Sequence, residues 1–226
     1  IAVHPTPVQG WAQAVERAFH YLADAGVAMI VGPAIGDNAL LATPFAEHLG
    51  IPTINWAGAE RARGEWMFHL QVGSHEDESL VIARHLKQLG ADRIGVIYDQ
   101  SPIGTRHLTY LEDEARIIGL EIVSRQAIDP LCEDADDAVT AVLAAMPQGL
   151  VYLGLGLSAP AVARPLAQRG WMAPKVMNTA GLRGYQPDFA RAIDGWTYID
   201  MRSDRNRTLA ALREKMGISS HQATWA

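Results

Sequence analysis

The sequence predicts an α/β fold of two lobes, each a parallel sheet covered by helices. Three observations carry this. Short, continuously apolar runs alternate with longer helical patterns along the whole chain, and apolar strands separated by helices belong to parallel sheets buried on both faces. At least eight strand candidates are too many for one tidy sheet in 226 residues. Finally, "VAMIVGPAIGDNALLATPFAEHLGIPTINWAG" (27–58) is echoed by "LVYLGLGLSAPAVARPLAQRGWMAPKVMNTAG" (150–181). Both read strand, glycine loop, helix, glycine, proline, strand, then N-x-A-G. With gaps of one or two residues, Ala42 matches Ala163, Pro44 matches Pro165, Gly50 matches Gly170, and Asn55 matches Asn178. Any two βα units share some of this pattern, so the echo supports the two-lobed reading without settling it.

The elements follow in order. "AVERAFHYLADAG" (14–26) places Val15, Phe19 and Leu22 on one helical face and ends on a cap-like Gly26. "VAMIV" (27–31) is an apolar strand. "ALLATPFAEHLG" (39–50) is helical with Pro44 as a kink, and "IPTIN" (51–55) and "MFHLQV" (67–72) are strands. Helix "SHEDESLVIARHLKQLG" (74–90) precedes strand "RIGVIYD" (93–99), helix "TRHLTYLEDEARIIG" (105–119) and strand "LEIVSRQAI" (120–128). Helix "DADDAVTAVLAAM" (134–146), strand "LVYLGL" (150–155), helix "APAVARPLAQRG" (159–170) and strand "KVMNT" (175–179) continue the alternation. "GWTYIDM" (195–201) is the last strand and "RTLAALREKMG" the last helix. A crossing near "MFHLQV" divides the two lobes. Ligands of open α/β sheets bind at strand C-termini, where strand order reverses.

Composition narrows the function. Apolar residues make up 49% and charged residues 19%, the balance of an ordinary globular chain. The net charge of −6 argues against a nucleic-acid partner. The basic clusters "RARGEW" and "RSDRNR" read as solvated loops. Cys132 is the single cysteine, which excludes an internal disulfide framework. No run approaches 18 apolar residues, so no membrane span is predicted. No signal peptide is visible, and both ends are abrupt enough to read as trimmed.

Motifs for catalysis are weak. "GLGLSA" (154–159) fits G-x-G-x-x-A, but the acid expected about twenty residues on is missing. It reads as a tight turn into a helix, with Pro160 in the first helical turn. "SHEDES" (74–79) lacks the H-E-x-x-H spacing of a metal helix. Ser74 there reads as a cap, and the acids oppose the helix dipole. "CEDADD" (132–137) has the same reading. There is no G-x-S-x-G, Ser158 has no identifiable base, and no carboxylate pair stands out. The chain is therefore read as a non-enzyme, with no cofactor and no metal.

The element order and the phrases "VGP…ATPFAEHLGIPTIN", "HLKQLGADRIGVIYDQSPIG", "EIVSRQAI" and "LAQRGWMAPKVMNTAG…FARAIDGWTYIDM" resemble one family over nearly the whole chain. It is the branched-chain amino-acid type (leucine/isoleucine/valine-binding-like) of periplasmic solute-binding proteins of ABC transporters. The resemblance implies the type I fold with two Rossmann-like lobes, residues 1–71 and 72–196, and a recrossing segment at 197–226. It also implies a strand and helix before Ile1 and a tail after Ala226. Function follows as an expectation: a small molecule bound between the lobes by hinge closure and handed to a membrane permease. The protein would be a periplasmic or extracellular monomer, with anchoring through an N-terminal lipid or signal region as an option. A sensor domain on the same fold is the alternative, and a nucleotide-using enzyme a distant third.

The resemblance also carries ligand positions over, and here the sequence departs from amino-acid binders. Their first loop keeps a hydroxyl; this chain has Ile35, Gly36 and Asp37. After the next strand, where a small hydroxyl residue is usual, stand Trp56, Ala57, Gly58 and Ala59. The second-lobe aromatic before a glycine becomes Ile103 before Gly104. The later aromatic falls among Leu155, Gly156 and Leu157, and the acid that pairs with an α-ammonium falls at Ala180, beside Gly181. Asp37 reads either as an N-cap or as the one acid able to face the ligand. An unpaired buried charge costs several kcal/mol. Burying an aromatic ring of about 200 Å² returns roughly 5 kcal/mol at about 25 cal/mol per Å². The expected ligand is therefore hydrophobic or aromatic, such as an aromatic carboxylate, with Trp56 as one wall.

Overall fold

A computed structural model describes residues 12–57, 59, 61–70, 75–181, 187–199 and 207–217. The chain divides into two units, residues 1–75 and 76–226.

In the first unit, α1 (Ala12–Asp24) buries Val15 and Phe19, two of the three positions expected on its apolar face. Strand β1 is only Ile30–Val31, and β2 (Thr53–Asn55) and β3 (Met67–His69) are also shorter than their apolar runs. Pro52 has no N–H to give a ladder, so β2 starts after it. The strands pair in the order β1-β2-β3, all parallel. Helix α2 (Gly36–Leu49) starts three residues earlier than its periodicity indicates and runs through Pro44 to a left-handed Gly50. Val15, Phe19, Ile30, Ala42, Ala46 and Met67 form the core between α1, α2 and the sheet.

In the second unit, α3 (His75–Gln88), β4 (Arg93–Asp99), α4 (Pro102–Ile118), β5 (Glu121–Ile128), α5 (Asp136–Ala144) and β6 (Gly149–Leu153) alternate as expected. They are followed by α6 (Ala159–Gln168), β7 (Lys175–Met177), a 3-10 turn (Thr179–Gly181), α7 (Pro187–Ala192), β8 (Thr197–Tyr198) and α8 (Arg207–Met216). The short α7 has no counterpart in the sequence reading. The sheet is parallel throughout, in the order β5-β4-β6-β7-β8. Alternate residues feed two cores. Leu150, Tyr152 and Met177 pack with α5 and α6, while Val151, Leu153 and Val176 pack with α3 and α4. Both faces are thus buried, which explains the unbroken apolar runs.

The two halves of the echo fold alike. β1–α2–β2 and β6–α6–β7 are each a parallel pair joined by a helix with an internal proline, Pro44 or Pro165. Asn55 closes β2, and Asn178 directly follows β7.

Candidate functional site

In the first unit the predicted residues lie at the C-terminal edge of the sheet. Ile35, Gly36 and Asp37 follow β1; Trp56, Ala57 and Ala59 follow β2. Gly58 lies outside the described residues, as does Ser74. A Cβ on Gly36 would sit 3.4 Å from the Ala59 methyl, so the two segments are in close packing. The reading of Asp37 as an N-cap is corrected. Ile35 holds that place, without a side-chain cap bond, and Asp37 lies within the first helical turn. An acid there complements the helix dipole. Asn55 secures the β2 end. Its Oδ1 accepts from Ala57 N at 3.2 Å, and its Nδ2 donates to Ala62 O at 2.9 Å and Phe68 O at 3.3 Å. His69 Nε2 lies 2.7 Å from Ala57 O; a carbonyl only accepts, so Nε2 carries the proton. On this edge Ile35 (38%) and Trp56 (42%) remain exposed, although both are large and apolar.

In the second unit the chain passes from β4 to β5 on one side and returns to β6 on the other. Strand order therefore reverses between β4 and β6, the place where open α/β sheets take ligands. Asp99 ends β4 there, fully buried. Its Oδ1 accepts from Ser101 N at 3.2 Å and from the Ser101 hydroxyl. Its Oδ2 accepts from Leu155 N at 2.7 Å and from the Tyr152 hydroxyl at 3.3 Å. The phenol proton is thereby committed to Asp99. Tyr152 Oη then accepts from Gly156 N at 3.2 Å and from the Ser158 hydroxyl at 3.0 Å. Burial first, with the charge of Asp99 adding to it, holds the Tyr152 phenol well above its usual range. A Cβ on Gly154 would overlap the Asp99 carboxylate, and one on Gly104 would overlap its carbonyl oxygen. Both glycines are required by close approach, not by turn geometry.

This network positions the remaining predicted residues. Ile103 and Gly104, just outside the helix expected at 105–119, lie in the first turn of α4, because Ser101 caps that helix by accepting from Gly104 N at 3.1 Å. Leu155, Gly156 and Leu157 form the turn between β6 and α6. Ala180 and Gly181 belong to the 3-10 turn after β7. Leu157 is 44% exposed. The amides of Gly154, Leu155 and Gly156 are bonded to Asn178 Oδ1, Asp99 and Tyr152. These are the amides a dinucleotide loop would turn toward a pyrophosphate, so the G-x-G-x-x-A pattern has a structural role here. Ser158, examined as a nucleophile, is buried and bonded to a tyrosine.

Sequence reasoning overlooked Asp99, Tyr152 and Glu78. Glu78 belongs to the acidic run attributed to the helix dipole, but it turns inward. Its Oε2 accepts from Thr179 N at 3.0 Å and lies 3.3 Å from His107 Nε2. His107 is fully buried, with Nδ1 at 2.9 Å from Ile103 O. A helical 3–4 spacing cannot reveal such a pairing, since its partners are distant in sequence. A signal did exist for Asp99: an acid ending an apolar strand two residues before Ser101-Pro102. Away from this edge, a depression of about 490 Å³ lies between the end of β5 and α5, lined by Ile128, Cys132, Asp136 and neighbours. None of the predicted residues borders it.

The periplasmic binding protein family model matches residues 8–223. The chain belongs to the periplasmic binding protein family. Among solved structures, it is similar to a leucine binding protein from Thermotoga maritima MSB8, with 15% identity and a TM-score of 0.75 over 92% of this chain and 63% of that one. A solute binding protein of an ABC transporter from R. palustris, solved with 4-hydroxybenzoate, matches at 15% identity and TM-score 0.73, over 96% and 62%. An extracellular ligand-binding receptor from Rhodopseudomonas palustris HaA2 matches at 17% and 0.71, over 94% and 64%. At these identities the likeness establishes the fold, which is the type I fold of the family. No curated protein matches the sequence. This family member spans about three fifths of the length of the structures it matches.

Proposed function

We propose that this chain is the solute-binding part of an ABC transporter, acting outside the cytoplasm. It would take a hydrophobic or aromatic ligand, with an aromatic carboxylate as the leading class. The observation carrying this reading is the chemistry of the strand C-termini. Ile35, Trp56 and Leu157 stay exposed there despite their apolar side chains, and each offers apolar surface that a hydrophobic ligand would remove from water. In the second unit Asp99 is engaged by four donors, and Glu78 Oε2 is engaged by Thr179 and faces His107. Asp99 is thus committed within the fold, and Glu78 is turned toward Thr179 and His107. The first-turn amides of α2 suit a carboxylate, since helix N-termini favour anions.

The reading includes lobes at residues 1–71 and 72–196 with a recrossing segment beyond, closure of the lobes on the ligand, action as a monomer, delivery to a membrane permease, and no catalytic step. Among the described residues no helix is long and apolar enough to cross a membrane. Native mass spectrometry of the purified protein tests the ligand class. A co-purifying aromatic or aliphatic acid supports it; a co-purifying zwitterionic amino acid contradicts it.

A further inference from the structure

Asn55 and Asn178 occupy equivalent places, each at the C-terminal end of the second strand of an echoed βαβ unit. Both are fully buried. Their amides differ in one respect. Asn55 has its oxygen engaged by Ala57 N and its nitrogen by Ala62 O and Phe68 O. Asn178 has its oxygen engaged by Gly154 N at 3.0 Å, while among the described residues its Nδ2 has no acceptor. The assignment of oxygen and nitrogen is not arbitrary. Gly154 N–H can only donate, so the atom facing it is the oxygen. Gly181 packs on the same amide, where a Cβ would come within 3.0 Å of Oδ1. Asn178 therefore sits between the Gly154–Ser158 turn and the Thr179–Gly181 turn, at the ligand edge of the sheet.

Buried polar groups are nearly always paired, and an orphan donor is costly. Where the equivalent residue in the other unit is fully paired, the orphan points to a state in which an acceptor arrives. We propose that Asn178 is a ligand-binding residue, with Nδ2 donating to an oxygen of the ligand's carboxylate or carbonyl group. This rests on the reading of the chain as a binder of small organic solutes and adds the chemistry of one contact. A neutral donor selects an oxygen acceptor and offers nothing to an ammonium group. It thus suits a ligand that carries an acid without an amine.

The test titrates the whole chain calorimetrically with 4-hydroxybenzoate and, separately, with leucine. Asn178→Asp keeps the oxygen that Gly154 N needs but replaces the donor with a second oxygen. We expect it to weaken whichever carboxylate binds the wild type by at least tenfold. In ¹⁵N-labelled wild type, the side-chain amide pair absent from the Asn178→Asp spectrum should move when that probe saturates the protein. This measurement stands even if the variant folds poorly. Equal affinity of variant and wild type, or side-chain amide resonances that do not move at saturation, overturns the role of Asn178 while leaving the binding function intact. Failure of wild type to bind either probe instead removes the reading on which it rests.

Discussion

Asp99 shows how one buried side chain governs the second-unit edge. Its carboxylate joins the end of β4 to the turn after β6 and to the cap of α4. Asp99→Asn puts an amide nitrogen against groups that are all donors. Loss of charge-assisted bonds and a donor–donor clash should cost about 3 kcal/mol, read as a lower denaturation midpoint with unchanged slope. Gly154→Ala places a methyl on that carboxylate, and overpacking of this kind costs about 1–3 kcal/mol or more; a Gly154→Ala protein as stable as wild type would contradict the packing described. Tyr152 supplies a pH signature. Its phenol is held protonated in the folded state, so its contribution is complete below the ordinary tyrosine value of about 10 and is lost as pH rises beyond it. Tyr152→Phe should lower stability at neutral pH, through the lost bonds, and flatten the alkaline decline seen in the wild type.

The elements were legible where periodicity and packing agree. β4 matches its apolar run residue for residue, and α1, α3 and α5 fall within about two residues of their patterns. Helix starts were less legible. α2 and α4 each begin three residues before the pattern, because Gly36 and Pro102–Gly104 carry no helical periodicity of their own. In α4 the decision is made by Ser101, whose hydroxyl caps Gly104 N. Ser101→Ala should therefore shift the start of α4 and cost about 1 kcal/mol for the cap, with a further loss from the Asp99 bond; urea unfolding measures both together. The α5–α6 join is electrostatic at its edge. Arg169 binds Asp136 through both nitrogens, at 2.7 and 2.9 Å, and holds that carboxyl below the usual range. Its small contribution is present above the ordinary aspartate value of about 4 and fades as pH falls through the lowered one. Arg169→Ala should remove that dependence and little else, since exposed pairs contribute modestly.

At the scale of the molecule, fold and family could be read from the order of elements, and the strand-end positions from the echo. Asn55 and Asn178 were visible as a matched pair, but their different bonding was not, since it depends on carbonyls brought in from other elements. The hydrogen bonds that turn "GLGLSA" away from phosphate chemistry were hidden for the same reason. If the apolar strand ends take up an aromatic acid, thermal unfolding with candidate ligands will register it. A ligand at a hundred times its Kd adds about 2.7 kcal/mol, which for a chain of this size is a Tm rise of roughly 5–10 °C. Such a rise is expected with 4-hydroxybenzoate or a related aromatic acid, and none with leucine. A rise with leucine and none with the aromatic acids would contradict the proposed ligand class.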